Sequence, residues 1–241
     1  MTSPIIFVGP SLTPQDKARF PDIRFRAPAK QGDVLRAMAD KPTAIGIIDG
    51  YFGDHLAVHQ KEILEAMADG ILVWGGASMG ALRAAELHRF GMRGVGTIFE
   101  AYVSGEIGED ADVAVTHGPD ELDFVATSIS MVDVQATIAA LRRRRTMTET
   151  KLAKVLTAAR ARHFSARTWR AIASEVHKTR QGRLRLESIL SSPEIQQKRL
   201  DAIDLVRCMA EEADRLEPSC KPPPLTTYYQ RIRERALSKS P

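Results

Sequence analysis

The sequence predicts an α/β fold: an N-terminal parallel-sheet α/β layer with a helical C-terminal part. Three observations predict it. In the first hundred or so residues, short apolar runs alternate with segments of helical period. The connections between them are short, which suits parallel strands joined by right-handed helical crossovers. From about Met131 onward, every apolar pattern has helical spacing.

The elements follow in order. "PIIFVG" (Pro4 to Gly9) reads as a short buried strand, and "GDVLRAMAD" (Gly32 to Asp40) has helical spacing. "TAIGIIDG" (Thr43 to Gly50) is an apolar strand closed by Asp-Gly, a turn signal. Helical periodicity in "HLAVHQKEILEAMADG" predicts a helix capped by Asp54 at its start and by Gly70 at its end. The strand "ILVWG" (Ile71 to Gly75) comes next, then the helix "MGALRAAELHRF", ended near Gly91. Further on, "MVDVQATIAALRRRR", "MTETKLAKVLTAARARHF", "ARTWRAIASEVHK" and "SPEIQQKRLDAIDLVRCMAEEADRL" read as amphipathic helices. Thr148 and Ser192 are N-cap signals, and Pro193 suits a first helical position. "EPSCKPPPLTT" is too rich in proline to continue a helix, and "YYQRIRERALSKSP" can dock as a short helix or stay mobile. The organisation expected is an α/β core over 1–130, a helical region over 131–216 packed on it, and a Pro-rich tail over 217–241.

Composition narrows the function. Of 241 residues, 44% are apolar, enough for a sizeable core. The two cysteines, Cys208 and Cys220, make neither a disulfide framework nor a metal box, and a reducing cytoplasm fits them. No signal peptide or membrane-spanning run is visible, and no cofactor or metal motif. The net charge is +4, with arginines gathered in the second half, notably Arg142 to Arg145. Such a run attracts nucleic acid or an acidic protein partner, or is simply a solvated helix face. The acidic turn with Glu106, Glu109, Asp110 and Asp112 lacks the spacing of a calcium loop. Trp74 and Trp169 read as core contacts.

One phrase carries chemistry. "GGASMGALRAAEL" contains Gly76-Ala77-Ser78-Met79-Gly80, a G-x-S-x-G pattern between a strand and a helix. A serine on such a turn sits at the carboxyl edge of the sheet, where open α/β sheets bind ligands. The following helix aims free N–H groups there, so Gly76, Ala77 and Met79 are candidates for an oxyanion site. The competing reading is a glycine-rich turn whose serine only caps the helix. For the proton, His88 lies too far along the elbow helix, whereas His117 ends a strand-like segment and can reach the same edge. Lys61 is the preferred base. Its helix starts at the same edge, about two turns before it, and its neighbours Ala57, Val58 and Leu64 place it at the margin of the apolar face. A lysine that loses hydration there can serve as a neutral base. Arg83 and Glu86, three apart, can pair with each other or face a bound partner.

The stretch from Ala44 to Val115 resembles the TfuA-like proteins, and more loosely so does the chain to about Leu141. The resemblance rests on K-E-I-L, then G-I-x-V-x-G-x-x-S-M-G-A-L-R-A-A-E-L, then G-M-x-G-V-G-x-I, a tyrosine, and an acidic turn before V-A-V. It implies a partner of a YcaO enzyme in peptide backbone thioamidation. It further implies hydrolysis of the C-terminal thiocarboxylate of a ThiS-like sulfur-carrier protein, by a serine–lysine pair in an unusual fold. The serine falls on Ser78 and the lysine on Lys61. Two other readings remain at this point. One is a non-catalytic adaptor that brings carrier and peptide to the YcaO enzyme. The other, less favoured, is a nucleic-acid binder resting on the arginine run and the tail.

Overall fold

The computed structural model describes residues 3–51, 53, 55–192, 195–212 and 220–238. By its internal contacts the chain divides into two units, one of residues 1–107 and 201–241, the other of residues 108–200.

The first unit is built on a parallel sheet with strand order β2-β1-β3-β4-β5. The strands are β1 (Ile5–Phe7), β2 (Arg24–Arg26), β3 (Ala44–Ile47), β4 (Leu72–Gly76) and β5 (Arg93–Val95). Between them run α1 (Pro14–Lys17), α2 (Asp33–Met38), α3 (Gln60–Ala68) and α4 (Met79–Leu87), and α5 (Thr97–Ser104) follows β5. The register pairs Ile47 with Gly75 and Gly76 with Val95, so the ends of the central strands lie level. Period-2 alternation sends Ile5, Phe7, Ile45 and Ile47 to one face, against residues of α2, α3 and α4. It sends Ile6, Ala44, Leu72 and Trp74 to the other, where Ala202, Leu205, Val206 and Met209 cover them. With both faces covered, the strands read as continuous apolar runs.

The second unit packs α6 (Met131–Arg143), α7 (Glu149–Arg160), α8 (Trp169–Val176) and α9 (Arg180–Leu190) around its own core of Val134, Leu152, Val155, Ile172 and Leu186. The buried Arg167 guanidinium donates to the carbonyls of Ile129, Ala159 and Arg162, which ties three turns together. The helix α10 (Gln197–Glu212) carries the chain back to the first unit from Asp201 on, and α11 (Thr227–Leu237) closes that unit.

Several expectations are corrected. Residues 55–59 are not helical, and α3 begins at Gln60 with His59 as its cap. Val58 is buried from the loop, so the apolar rhythm of "HLAV" reflects plugging of the core and not a helical face. The expected cap Asp54 lies outside the described residues. Ser192 lies short of α10, which starts at Gln197, and Pro193 is outside the described residues. Thr148 does stand at the N-cap of α7, though its hydroxyl makes no capping bond. The last segment docks: Tyr229, Ile232 and Ala236 of α11 are buried against Leu35 and Met38. Among the described residues no helix is long and apolar enough to cross a membrane.

Candidate active site

The turn between β4 and α4 is tighter than a glycine-rich loop needs to be. Ser78 N–H donates to Gly76 O at 2.7 Å across Ala77, whose φ is +64°. A bond from residue i+2 to residue i across a central residue of positive φ defines the rare, strained γ-turn. Strain of this kind in a non-glycine residue persists only where the surroundings over-determine it. They do so here through bare glycines. A Cβ on Gly80 would lie 1.7 Å from Ile47 O, and one on Gly75 would lie 2.2 Å from Gly80 O. The first turn of α4 is thus in backbone contact with β3 and β4, and Gly80 N–H donates to Ile48 O at 3.1 Å. Gly76 is bare for another reason: a Cβ there would meet Val95 O at 2.7 Å.

This turn fixes Ser78 at the N-cap of α4, at the carboxyl end of β4. Its side chain makes no capping hydrogen bond, so a capping role does not explain the serine. The residue is 3% exposed. Its carbonyl accepts from Ala81 N–H and Leu82 N–H, while Met79 N–H donates to no described group. The hydroxyl and this N–H belong to adjacent residues at the start of α4, where a helix N-terminus favours negative charge.

The sheet edge around Ser78 holds two buried carboxylates that sequence reasoning missed. Asp49, just past β3, accepts from Gly9 N–H (2.9 Å), Ser11 N–H (3.0 Å) and Ser11 Oγ (2.7 Å). It locks the loop after β1 at the point where the strand order reverses, the usual ligand crevice of such sheets. Its only sequence signal was the Asp-Gly pair, read as a turn. Asp201, at 2% exposure, accepts Ile98 N–H at 2.8 Å and packs on Gly96, where a Cβ would lie 2.4 Å from its Cγ. Gly96 has φ +97° and leaves the space that this carboxylate fills.

Lys61 is in the first turn of α3, not two turns in. Its Nζ donates to Pro224 O at 2.8 Å and Thr226 Oγ1 at 3.2 Å, and lies 5.6 Å from the centre of the Tyr229 ring. No hydrogen bond joins it to Ser78. The start of α3 is fixed by Glu62, whose oxygens accept Gly32 N–H (2.8 Å) and His59 N–H (3.1 Å). Burial pushes the Glu62 carboxyl up to about 7 against the lowering effect of those two bonds. Burial, then the charges of Lys61 and Arg83, hold the His59 ring below its ordinary pKa.

Arg83 and Glu86 pair as expected, at 2.8 Å. The pair also has structural partners: Arg83 Nε donates to Val58 O at 3.0 Å, and Gln60 Nε2 to Glu86 at 3.1 Å. It ties α4 to the entry of α3. His117 belongs to the second unit, where its ring lies against Gly118 O and edge-on to Phe124. Arg142 of the arginine run is paired with Glu149 at 2.9 Å. Among the described residues no group of His, Cys, Asp and Glu is arranged to hold a metal.

A family model described as TfuA-like protein matches residues 49–168, about half of the chain. The chain belongs to the TfuA-like proteins. The match begins at Asp49 and spans Lys61, the Ser78 turn and the helices through α7. Membership implies association with YcaO proteins in thioamidation. No curated protein matches the chain in a direct comparison.

Proposed function

We propose that this TfuA-like protein hydrolyses the thiocarboxylate of a ThiS-like sulfur carrier in the cytoplasm and so supplies sulfide to a YcaO enzyme for peptide thioamidation. The observation that carries the reading is the strained turn at Ala77, which holds an uncapped serine, next in sequence to the free Met79 N–H, at a helix N-terminus.

The chemistry follows from that pairing. Lys61 takes the Ser78 proton as Oγ bonds to the thiocarboxylate carbon. The developing oxyanion is stabilised by Met79 N–H, with Gly76 and Ala77 shaping the turn beside it. The C–S bond breaks, the proton passes from Lys61 to sulfur, and hydrosulfide leaves. Water then cleaves the acyl-serine, its proton passing through Lys61 to Oγ or to solvent, and the carrier departs as a carboxylate. The net reaction consumes one water and releases hydrosulfide and one proton. For Lys61 to act, its Nζ must give up a proton to solvent and leave Pro224 O and Thr226 Oγ1.

The adaptor is the second reading, and two observations favour it: Ser78 is 3% exposed, and Lys61 is engaged elsewhere. In that reading the protein gathers carrier, YcaO enzyme and peptide without chemistry of its own. Sulfide release from thiocarboxylated carrier, without YcaO present, separates the two. Hydrolysis predicts release that Ser78→Ala lowers by orders of magnitude. Release no faster than in buffer would leave the adaptor.

A further inference from the structure

The start of α2 and the last two turns of α11 enclose a cavity of about 410 Å³, a volume within the range of small-molecule sites. Both helices belong to the first unit, and Leu35, Tyr229 and Ile232 pack them together. Three cationic side chains line the cavity: Lys30 and Arg36 on one wall, and Arg235 on the other. The one acidic residue among the lining, Asp33, is already engaged. It accepts from Arg36 Nη2 at 2.5 Å and from Lys30 N–H at 2.8 Å. That ion pair holds the Arg36 guanidinium over Gly32, where a Cβ would lie 3.0 Å from Nη1. Among the described residues no carboxylate pairs with the Lys30 ammonium or the Arg235 guanidinium. Three cations against one carboxylate leave the lining at +2. A cleft walled by one sign of charge concentrates ions of the other.

We infer that this cavity binds a small phosphorylated ligand, with the phosphate held among Lys30, Arg36 and Arg235. A phosphate monoester carries close to two negative charges at neutral pH and three strong acceptor oxygens. It matches both the charge of the lining and its three separate donors. A carboxylate, with one charge and two oxygens, matches neither. Guanidinium groups suit phosphate because their planar forks pair with its oxygens two at a time. Asp33 takes only Nη2 of Arg36, so Nη1 keeps its protons for the ligand. Ile232 and Ala236, both buried, give the cavity an apolar wall for the group that carries the phosphate. The inference does not rest on the chemistry of Ser78 and stands if the hydrolase reading fails.

Calorimetric titration of the full chain at low salt tests it with three probes: inorganic phosphate, adenosine monophosphate and adenosine. Lys30→Ala and Arg235→Ala each remove one cation from the lining, and both positions are exposed, so the fold should keep its parental melting temperature. Arg89→Ala removes the same charge from an exposed position of the first unit that does not line the cavity. The expected result is one-to-one binding of a phosphate probe and none of adenosine. Lys30→Ala and Arg235→Ala should each weaken it roughly tenfold, and Arg89→Ala should leave it unchanged. Tighter binding of the monophosphate than of phosphate would mark an organic phosphate as the occupant, and equal binding would mark free phosphate. Failure of both phosphate probes to bind would overturn the inference, as would adenosine binding as tightly as its monophosphate, or equal losses in all three variants. A glutamate-rich peptide that binds where neither phosphate probe does would overturn it in favour of a protein-docking site.

Discussion

Glu62 makes the start of α3 sensitive to pH. Its carboxyl is fully buried and holds Gly32 N–H and His59 N–H, yet burial dominates and raises its pKa from 4.5 to about 7. In the unfolded chain the same group ionises near 4.5, so between those values the folded protein binds the extra proton. Its contribution to stability is fully present below about pH 4.5 and is lost as pH rises through about 7. The loss amounts to about 3 kcal/mol. Glu62→Gln removes the titration. It also turns one of the two accepting oxygens into a donor, which costs about 1–3 kcal/mol at every pH. Urea unfolding of both proteins from pH 4 to 8 gives the difference directly, since other carboxylates contribute alike to each. The variant should be the less stable near pH 4.5, and the gap should close by about 3 kcal/mol by pH 8. Parallel stability profiles would refute the reasoning.

Three further outcomes follow. Gly80→Ala drives a methyl to within 1.7 Å of Ile47 O and disturbs the Gly80–Ile48 hydrogen bond, so it should destabilise by about 3 kcal/mol or more in chemical denaturation. Gly108→Ala meets nothing within 4 Å and should be neutral or stabilising by up to about 1 kcal/mol. Asp49→Asn can keep its oxygen on Gly9 N–H and Ser11 N–H and turn its amide to Ser11 Oγ, but it removes the charge that strengthens these bonds, and should both lower stability by about 1 kcal/mol and speed amide exchange at Gly9 and Ser11.

Much of the sheet was legible because its central strands obey simple rules. Ile5–Phe7, Ala44–Ile47 and Leu72–Gly76 are short apolar runs bounded by turn residues, and both their faces are covered. The edge strands Arg24–Arg26 and Arg93–Val95 were not legible, because each is three residues long and carries arginine. Helix α9 was missed as well: "RQGRLRLESIL" opens with a glycine inside its first turn. At the site, the serine turn was legible because Gly75 and Gly80 record the close approach of three backbones. Its strain falls on Ala77, which no residue type announces. The Lys61 contact joins residues 163 apart in the chain, and the Asp201 contact to Ile98 joins residues 103 apart. Neither leaves a local periodicity to read. The helix start at Gln60 was obscured for the opposite reason, since Ala57 and Val58 mimic a helical face from a loop.

The central claim is that Ser78 is a nucleophile, and an acyl-enzyme tests it most directly. The protein is mixed with thiocarboxylated carrier, quenched in acid within one turnover, digested and mass-mapped. The account predicts carrier acyl mass on the peptide containing Ser78, and none in Ser78→Ala. Sulfide release with Ser78 unmodified at every time point, and undiminished in Ser78→Ala, would contradict it.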